Sequence, residues 1–276
     1  GADNKAGQPK RILQYLTPLL FEKLGLMTDE QKKELLARLA NRFLNKDIMV
    51  YMEDLITQAH LRDLGVAGEM IVLPPDFNGD YLAVANANIG GGKSDLFIKQ
   101  NIALASNLTL AGHLQNRLTI RRRHIGTAAT DWWYTKPNQN FLQIFLPKKT
   151  RLTQLAGGEE KGFPAKRAQR LEIDLEVAAW ENELVLERRR VAAWLTVPPN
   201  EEKTLTLIYE NEQLLDFKKP IQFIFEKQSG VDSALTYRIA APLGYVWKES
   251  GQPLFKYESD ILPARLTLEL HLEKKK

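Results

Sequence analysis

The sequence predicts an α+β protein, in which a small helical α/β segment precedes a mostly antiparallel β-sandwich that is Ig-like or related. Up to residue 64, apolar residues recur at the three-and-four spacing of amphipathic helices. Beyond Pro74 and Pro75, many short strand patterns follow one another, separated by Gly, Pro, Asn and Ser turns. Such an order is typical of antiparallel sandwiches rather than parallel sheets. We expect a disordered start at residues 1–9, a helical α/β segment left from an upstream domain at 10–75, and the β-sandwich domain at 76–276.

The helical segment contains three predicted helices and one short strand. Apolar spacing predicts helices at residues 10–24, 28–45 and 53–64. Pro18 should kink the first helix, and Thr28 is a suitable N-cap for the second. The apolar run at 47–52 predicts a buried strand.

The sandwich segment contains ten predicted strands. Each is a short run of apolar and β-branched residues bounded by turn residues. Their predicted positions are 81–88, 96–104, 114–122, 141–146, 171–177, 191–197, 204–209, 221–225, 235–240 and 265–272.

Composition excludes several classes of protein. The 276 residues include 44% hydrophobic residues, enough for one large or two modest domains with a substantial core. A formal net charge of +4 is too small to indicate nucleic-acid binding. The sequence contains no cysteine, which excludes a disulfide framework, a Cys-ligated zinc site and a thiol nucleophile within it. No apolar run approaches the roughly 20 residues of a membrane-spanning helix.

A glycine-rich segment follows the first predicted strand of the sandwich. Residues 87–94, Ala-Asn-Ile-Gly-Gly-Gly-Lys-Ser, match a permissive form of the loop that cradles nucleotide phosphates. Such a loop needs a helix after it, whereas residues 95–104 read better as a strand. We therefore predict a glycine turn that joins two antiparallel strands and binds no nucleotide. A nucleotide-dependent enzyme would depend on Lys93 alone.

A family resemblance rests on the same region. Residues 80–95 read Asp-Tyr-Leu-Ala-Val-Ala-Asn-Ala-Asn-Ile-Gly-Gly-Gly-Lys-Ser-Asp. This run resembles the hallmark of the bacterial domain-of-unknown-function family 4012, and three other stretches resemble further segments of that family: 46–48 with 68–69, 194–209 and 227–230. The resemblance covers about residues 10–272 and corresponds to the C-terminal half of a typical member.

The resemblance implies a single-pass bacterial envelope protein whose larger part lies outside the cytoplasm. We therefore expect an extracytoplasmic location, with the membrane anchor outside this sequence. The expected role is non-catalytic, binding or positioning a cell-wall polymer or an envelope protein. The alternative is an accessory part of an enzyme that transfers cell-wall polymer and has its active site mainly in the N-terminal half. The family has no assigned activity, so no catalytic residue can be carried over.

The candidate partner surface consists of Trp132, Trp133 and Tyr134 with Arg121 and Arg123. Three adjacent aromatic side chains cannot all face the core of one strand, so we expect at least one to be accessible. An exposed group would stack on sugars or contact a protein, whereas a buried group would cap the core.

Two basic runs, residues 121–123 and 188–190, lie in predicted strands. Their side chains should alternate between faces, so neither run should form a three-charge patch. We predict no nucleic-acid binding.

Other candidate sites lack the spacing that chemistry requires. The four histidines, His60, His113, His124 and His271, are scattered, and no pair has the spacing of zinc ligands on a helix. Carboxylates are plentiful, but the predicted strand at 171–177 explains three of them as a solvated sheet face. We therefore predict no catalytic residue, metal or cofactor.

Overall fold

A computed structural model describes residues 11–127, 134–159, 180–185 and 187–275. Two compact units make up the chain, Gly1–Gly68 and Glu69–Lys276. The sequence-based boundary at residues 75 and 76 lies a few residues further along the chain, and the origin of the first segment in an upstream domain stays a prediction. The expected disordered start and the predicted strand at 171–177 fall outside the described residues.

The first unit contains the three predicted helices. They are α1 (Arg11–Gly25), α2 (Asp29–Leu44) and α3 (Leu55–Asp63). Thr28 caps α2 as predicted: its hydroxyl accepts from the Gln31 amide, and the Gln31 side chain accepts from the Thr28 amide at 2.9 Å. This reciprocal pair satisfies two backbone donors that the first turn leaves open.

The predicted strand at 47–52 is wrong. These residues are extended or bent, and Val50 forms a single backbone hydrogen bond, to Val66. A strand needs a ladder of such bonds with a neighbouring strand, and an apolar run alone does not supply one.

The second unit is built from β-strands. They are β1 (Gly79–Asn88), β2 (Ile98–Leu108), β3 (Leu114–His124), β4 (Asn138–Pro147), β5 (Thr150–Ala156), β6 (Trp180–Val185), β7 (Arg188–Val197), β8 (Glu202–Asn211), β9 (Ile221–Glu226), β10 (Ser233–Ala240), β11 (Tyr245–Trp247), β12 (Leu254–Ser259), β13 (Arg265–Leu270) and β14 (Leu272–Lys274).

Two large sheets form a sandwich-like arrangement, so the protein is a mostly β member of the α+β class. The first sheet has the described strand order β13-β9-β1-β4-β7-β6, and the second has β12-β10-β2-β3-β8-β5. Strands β11 and β14 form a small separate ladder. One apolar core lies between the large sheets and includes Leu82 and Phe223 of the first and Leu118 and Tyr237 of the second. The rings of Phe223 and Tyr237 stack with centroids 4.0 Å apart.

Most of the described strand pairs are antiparallel, in line with the predicted mostly antiparallel sandwich, but both sheets are mixed. Each sheet contains one parallel pair: β1 with β9, and β10 with β2. The other pairs within the two sheets are antiparallel. Local patterns could not show this, because both parallel pairs join strands far apart in sequence.

The glycine turn also differs from its prediction. It joins β1 to β2, but these strands lie in different sheets, so the turn crosses from one layer to the other instead of closing a hairpin. A single 3-10 turn, Ser94–Phe97, replaces the first residues of the strand predicted at 95–104. The strand then runs from Ile98 as expected.

A buried ionic cluster holds the backbone of Ile71 against the outer side of the first sheet. Glu226 accepts hydrogen bonds from the Tyr81 hydroxyl at 2.7 Å and the Ile71 amide at 3.1 Å. Its other oxygen accepts from Arg265. Arg188 lies over the Tyr81 ring and donates to the Ile71 carbonyl oxygen. These contacts neutralise the buried Glu226 carboxylate.

Candidate functional site

The first basic run alternates between the two faces of β3, as predicted. Arg121 and Arg123 are exposed on the outer face of the second sheet, whereas Arg122 is 2% exposed and points inward. The run therefore contributes to two different places, an outer groove and an internal polar cluster.

The outer groove, which we call the arginine groove, is a shallow cavity of about 360 Å³ on the second sheet. Its floor includes the small side chains of Ala103 and Ala105 on β2. Arg117 and Arg238 occupy the strands on either side and both pair with Ala105 in the sheet register. Arg121 continues the same side of the groove along β3. Three guanidinium groups therefore surround a shallow alanine floor.

Little negative charge offsets these arginines. Among the described residues, Arg117 and Arg121 form no ion pair or side-chain hydrogen bond. Arg238 approaches Glu258 at 4.0 Å, but Glu258 also contacts Lys256 at 2.7 Å. The hydrogen bond from Lys256 is the main reason that the pKa of Glu258 lies below its usual value. The groove thus keeps a net positive charge.

The basic face continues beyond the groove toward the start of β2. Lys99 and Arg123 are exposed and oppose each other on β2 and β3. Glu202 of β8 lies opposite Arg123 on its other side. The sequence predicted Arg121 and Arg123 but missed Arg117 and Arg238. Period-two alternation along β3 could have revealed Arg117, whereas Arg238 joins only through the parallel β10–β2 pairing.

The internal polar cluster surrounds Arg122. Its Nη1 donates to the side-chain oxygens of Asn86 and Gln100, and its Nη2 donates to Asn138 Oδ1 at 3.1 Å. Asp95 Oδ1 lies 3.7 Å from Nη2. Burial lowers the pKa of Arg122 to about 10, and Asp95 opposes that effect. The guanidinium therefore remains charged at neutral pH.

The glycine-rich segment supports this cluster. Ser94 donates to the Gly91 carbonyl oxygen at 2.8 Å and accepts from the side-chain amides of Asn88 and Asn138. A Cβ atom at Gly91 would lie 2.1 Å from Asn88 Oδ1 and 2.7 Å from the Pro137 carbonyl oxygen, so only glycine fits. The Ser94 hydroxyl, which a phosphate-cradling loop would direct at magnesium, is buried in these contacts.

The aromatic candidates are described only in part. Trp132 and Trp133 lie outside the described residues, so their accessibility stays a prediction. Tyr134 is half-buried, and its ring packs against Phe97 with centroids 5.5 Å apart. Phe97 belongs to the 3-10 turn before β2, whereas Arg121 and Arg123 lie along β3.

Residues of the second basic run, 188–190, make contacts within the protein. Arg188 is buried over Tyr81, and Arg190 donates to Gln143 at 2.9 Å. His124 is also buried: its Nδ1 accepts from the Gly126 amide and its Nε2 donates to the Lys136 carbonyl oxygen. These residues hold neighbouring segments together.

Within the described part of the chain, no three His, Asp or Glu side chains are grouped as metal ligands would be. None of the described helices is both long and apolar enough to cross a membrane.

Comparisons with known proteins identify no family. No family model matches the sequence, and no curated protein matches it. A candidate nutrient-binding protein of Legionella pneumophila is similar in structure, with a TM-score of 0.38, 9% identity, and coverage of 71% of each chain. Leukotriene A4 hydrolase of Saccharomyces cerevisiae gives a TM-score of 0.34 at 10% identity, covering 64% of this chain and 30% of that one. An M1 zinc metallopeptidase of Deinococcus radiodurans gives 0.32 at 12% identity, covering 64% and 42%. Similarity this low assigns neither a fold family nor an activity.

Proposed function

We propose that this protein is a non-catalytic module of the bacterial cell envelope that binds an anionic polymer along the arginine groove. The observation that carries the proposal is the grouping of Arg117, Arg121 and Arg238 around the floor formed by Ala103 and Ala105. The ligand class is a chain with regularly spaced phosphates or carboxylates. The envelope location rests on the resemblance of residues 80–95 to family 4012.

Arginine suits this role because its planar guanidinium can donate two parallel hydrogen bonds to a phosphate or carboxylate. The small side chains of the floor allow a linear chain to approach the sheet without displacing large residues. Lys99 and Arg123 extend the positive surface along the same direction. An extended basic track fits a polymer better than a single small anion.

The sandwich itself stays an Ig-like or related candidate in this proposal. Two facing sheets in which most neighbouring strands are antiparallel support that relationship. The two parallel pairs differ from a purely antiparallel sandwich.

Binding of poly(glycerol phosphate) to the whole chain tests the proposal. We expect saturable binding that weakens as the salt concentration rises from about 50 to about 300 mM, because added salt screens the attraction between exposed charges. Binding of polyglutamate tests whether the groove accepts carboxylates as well as phosphates. Dextran, which is neutral, should not bind. The double variant Arg117→Ala/Arg121→Ala should weaken binding by about tenfold or more, equal to about 1.4 kcal/mol.

The control is Lys218→Ala/Lys248→Ala, which removes the same net charge from exposed positions outside the groove. If both double variants weaken binding equally, the attraction is due to net charge and the groove has no special role. No binding of either anionic polymer at 50 mM salt would also contradict the proposal.

A further inference from the structure

A second cavity, of about 400 Å³, adjoins the Arg122 cluster and shares no lining residue with the arginine groove. Asn86, Gln100 and Gln228 contribute carboxamides to its wall, and Arg122 lies among them. Gln228 exchanges two hydrogen bonds with the backbone of Asn86, at 2.7 and 2.9 Å, which fixes this wall. The cavity is therefore a built polar site and not a gap between mobile side chains.

Arg122 keeps one unused donor. A guanidinium carries five N–H groups, and those on Nη1 and Nη2 face Asn86, Gln100, Asn138 and Asp95. The Nε–H is buried and has no partner among the residues that the structure describes. A buried donor without a partner costs about 1–3 kcal/mol, and more when it is charged.

The charge of Arg122 is also poorly compensated. Three of its four contacts are neutral carboxamide oxygens, and Asp95 is 3.7 Å away. The Asp95 side chain is 55% exposed, so solvent screens much of its attraction. A buried cation with one screened counter-charge favours an additional anion.

Asp95 presents the complementary group to a ligand. Its Oδ1 accepts from Asn138 at 2.8 Å, while the side chain as a whole remains half-exposed and lines the cavity beside Arg122. Lys99 and Asp232 complete the charged lining, one cation and one further acid. Asp232 is fully exposed and lies 3.7 Å from Lys227. A buried cation and a half-exposed carboxylate thus lie next to each other in the wall of the cavity.

We propose that this cavity binds a small α-amino or α-hydroxy carboxylate, with the ligand carboxylate at Arg122 and its α-substituent donating to Asp95. Such a ligand carries its carboxylate and a hydrogen-bond donor on adjacent carbon atoms, and Arg122 Nη2 and Asp95 Oδ1, which would receive them, lie 3.7 Å apart. The cavity volume limits the ligand to a small molecule or to one end of a polymer chain. This proposal does not rest on polymer binding in the arginine groove, although Lys99 borders both sites.

Calorimetric titration of the whole chain with five probes tests the site. Alanine of each hand and lactate should bind saturably, because each has a carboxylate and an adjacent donor. Ethanolamine lacks the carboxylate and acetate lacks the donor, so both should bind at least tenfold more weakly. These comparisons between ligands use wild-type protein only.

Variants then locate the site. Asp95→Asn should weaken alanine binding at least tenfold and lactate binding less, because the amide keeps a hydrogen-bond acceptor but loses the charge that attracts ammonium. The matched control, Asp260→Asn, changes an exposed acid outside the cavity and should leave both affinities within twofold. Near-UV circular dichroism checks that each variant is folded.

The proposal is overturned if wild-type protein binds neither alanine nor lactate, if ethanolamine binds as well as alanine, or if Asp95→Asn binds alanine like wild type. Failure of polymer binding leaves these outcomes unchanged, and Arg117→Ala/Arg121→Ala should bind alanine normally.

Discussion

Tyr209 donates a hydrogen bond of 2.8 Å to Asp80 in the interior of the sandwich, where Asp80 is 0% and Tyr209 1% exposed. Asp80 also accepts from the Asn211 side chain and the Tyr81 amide. Burial raises the pKa of Asp80 to about 6, and these hydrogen bonds only partly oppose the effect. Three donors thus stabilise the charged form of this carboxylate, but the loss of solvent around it favours the protonated form by more.

This pKa gives the stability a specific pH dependence. The unfolded chain releases the Asp80 proton near pH 3.8, whereas the folded protein holds it to about pH 6. The stabilisation by protonation is complete below pH 3.8 and is lost as pH rises through 6, by roughly 2–3 kcal/mol at about 1.4 kcal/mol per pKa unit. Urea denaturation between pH 4 and 7 should show less of this fall in Asp80→Asn than in wild type. An unchanged pH profile in the variant would contradict the assignment to Asp80.

Arg122 and Arg121 are adjacent but should differ sharply in their contribution to stability. Replacing Arg122 with Met leaves the carboxamide oxygens of Asn86, Gln100 and Asn138 without their buried donor, which should cost about 3 kcal/mol or more. Replacing the exposed Arg121 with Met should change the free energy of unfolding by less than about 0.5 kcal/mol. Similar effects in urea denaturation would refute this distinction between the two faces of β3.

Gly91 should tolerate no side chain. An alanine Cβ would overlap Asn88 Oδ1 and the Pro137 carbonyl oxygen, so Gly91→Ala must open the polar cluster. Gly230→Ala is the control, since that glycine has φ +71° but open space around it, and should cost only the roughly 1–2 kcal/mol of left-handed backbone. We expect the larger fall in melting temperature for Gly91→Ala, and the reverse order would show that the turn can rearrange.

Tyr81→Phe isolates one hydrogen bond of the Glu226 cluster. The ring and its contact with Arg188 are kept, while the bond from the hydroxyl to Glu226 is lost, which should cost about 1.5–3 kcal/mol because the acceptor is charged and buried. The Tyr257 hydroxyl has no described partner, so Tyr257→Phe should stay within about 0.5 kcal/mol of wild type. Equal destabilisation of the two variants in chemical denaturation would argue against the Glu226 contact.

Sequence patterns predicted most of the strands because their inward residues alternate regularly. In β3, every second residue from Leu114 to Ile120 is buried, and the residues that alternate with them are more exposed. Strand β12 was missed because its side chains are at most half-buried, so no apolar stripe marks it. Strand β5 lies at a sheet edge, and a register shift at Leu152 breaks its alternation.

The candidate sites were less accessible to sequence reasoning. Arg121 and Arg123 could be selected as a basic pair, but Arg238 reaches the groove through a parallel pairing that no local pattern encodes. Alternation does predict that Arg122 points inward. Its partners, however, come from β1, β2 and β4, so the cluster emerges only when both sheets are assembled.

The two parallel pairs impose an order on folding during synthesis. Strands β1 and β2 emerge early, yet their parallel partners β9 and β10 begin only at Ile221 and Ser233. Until those residues leave the ribosome, β1 and β2 are open edges, and long-range pairing makes completion slow. A chain interrupted before Ile221 would therefore leave one edge of β1 and one edge of β2 unpaired, one in each layer, and these are the surfaces on which aggregation or a chaperone would act.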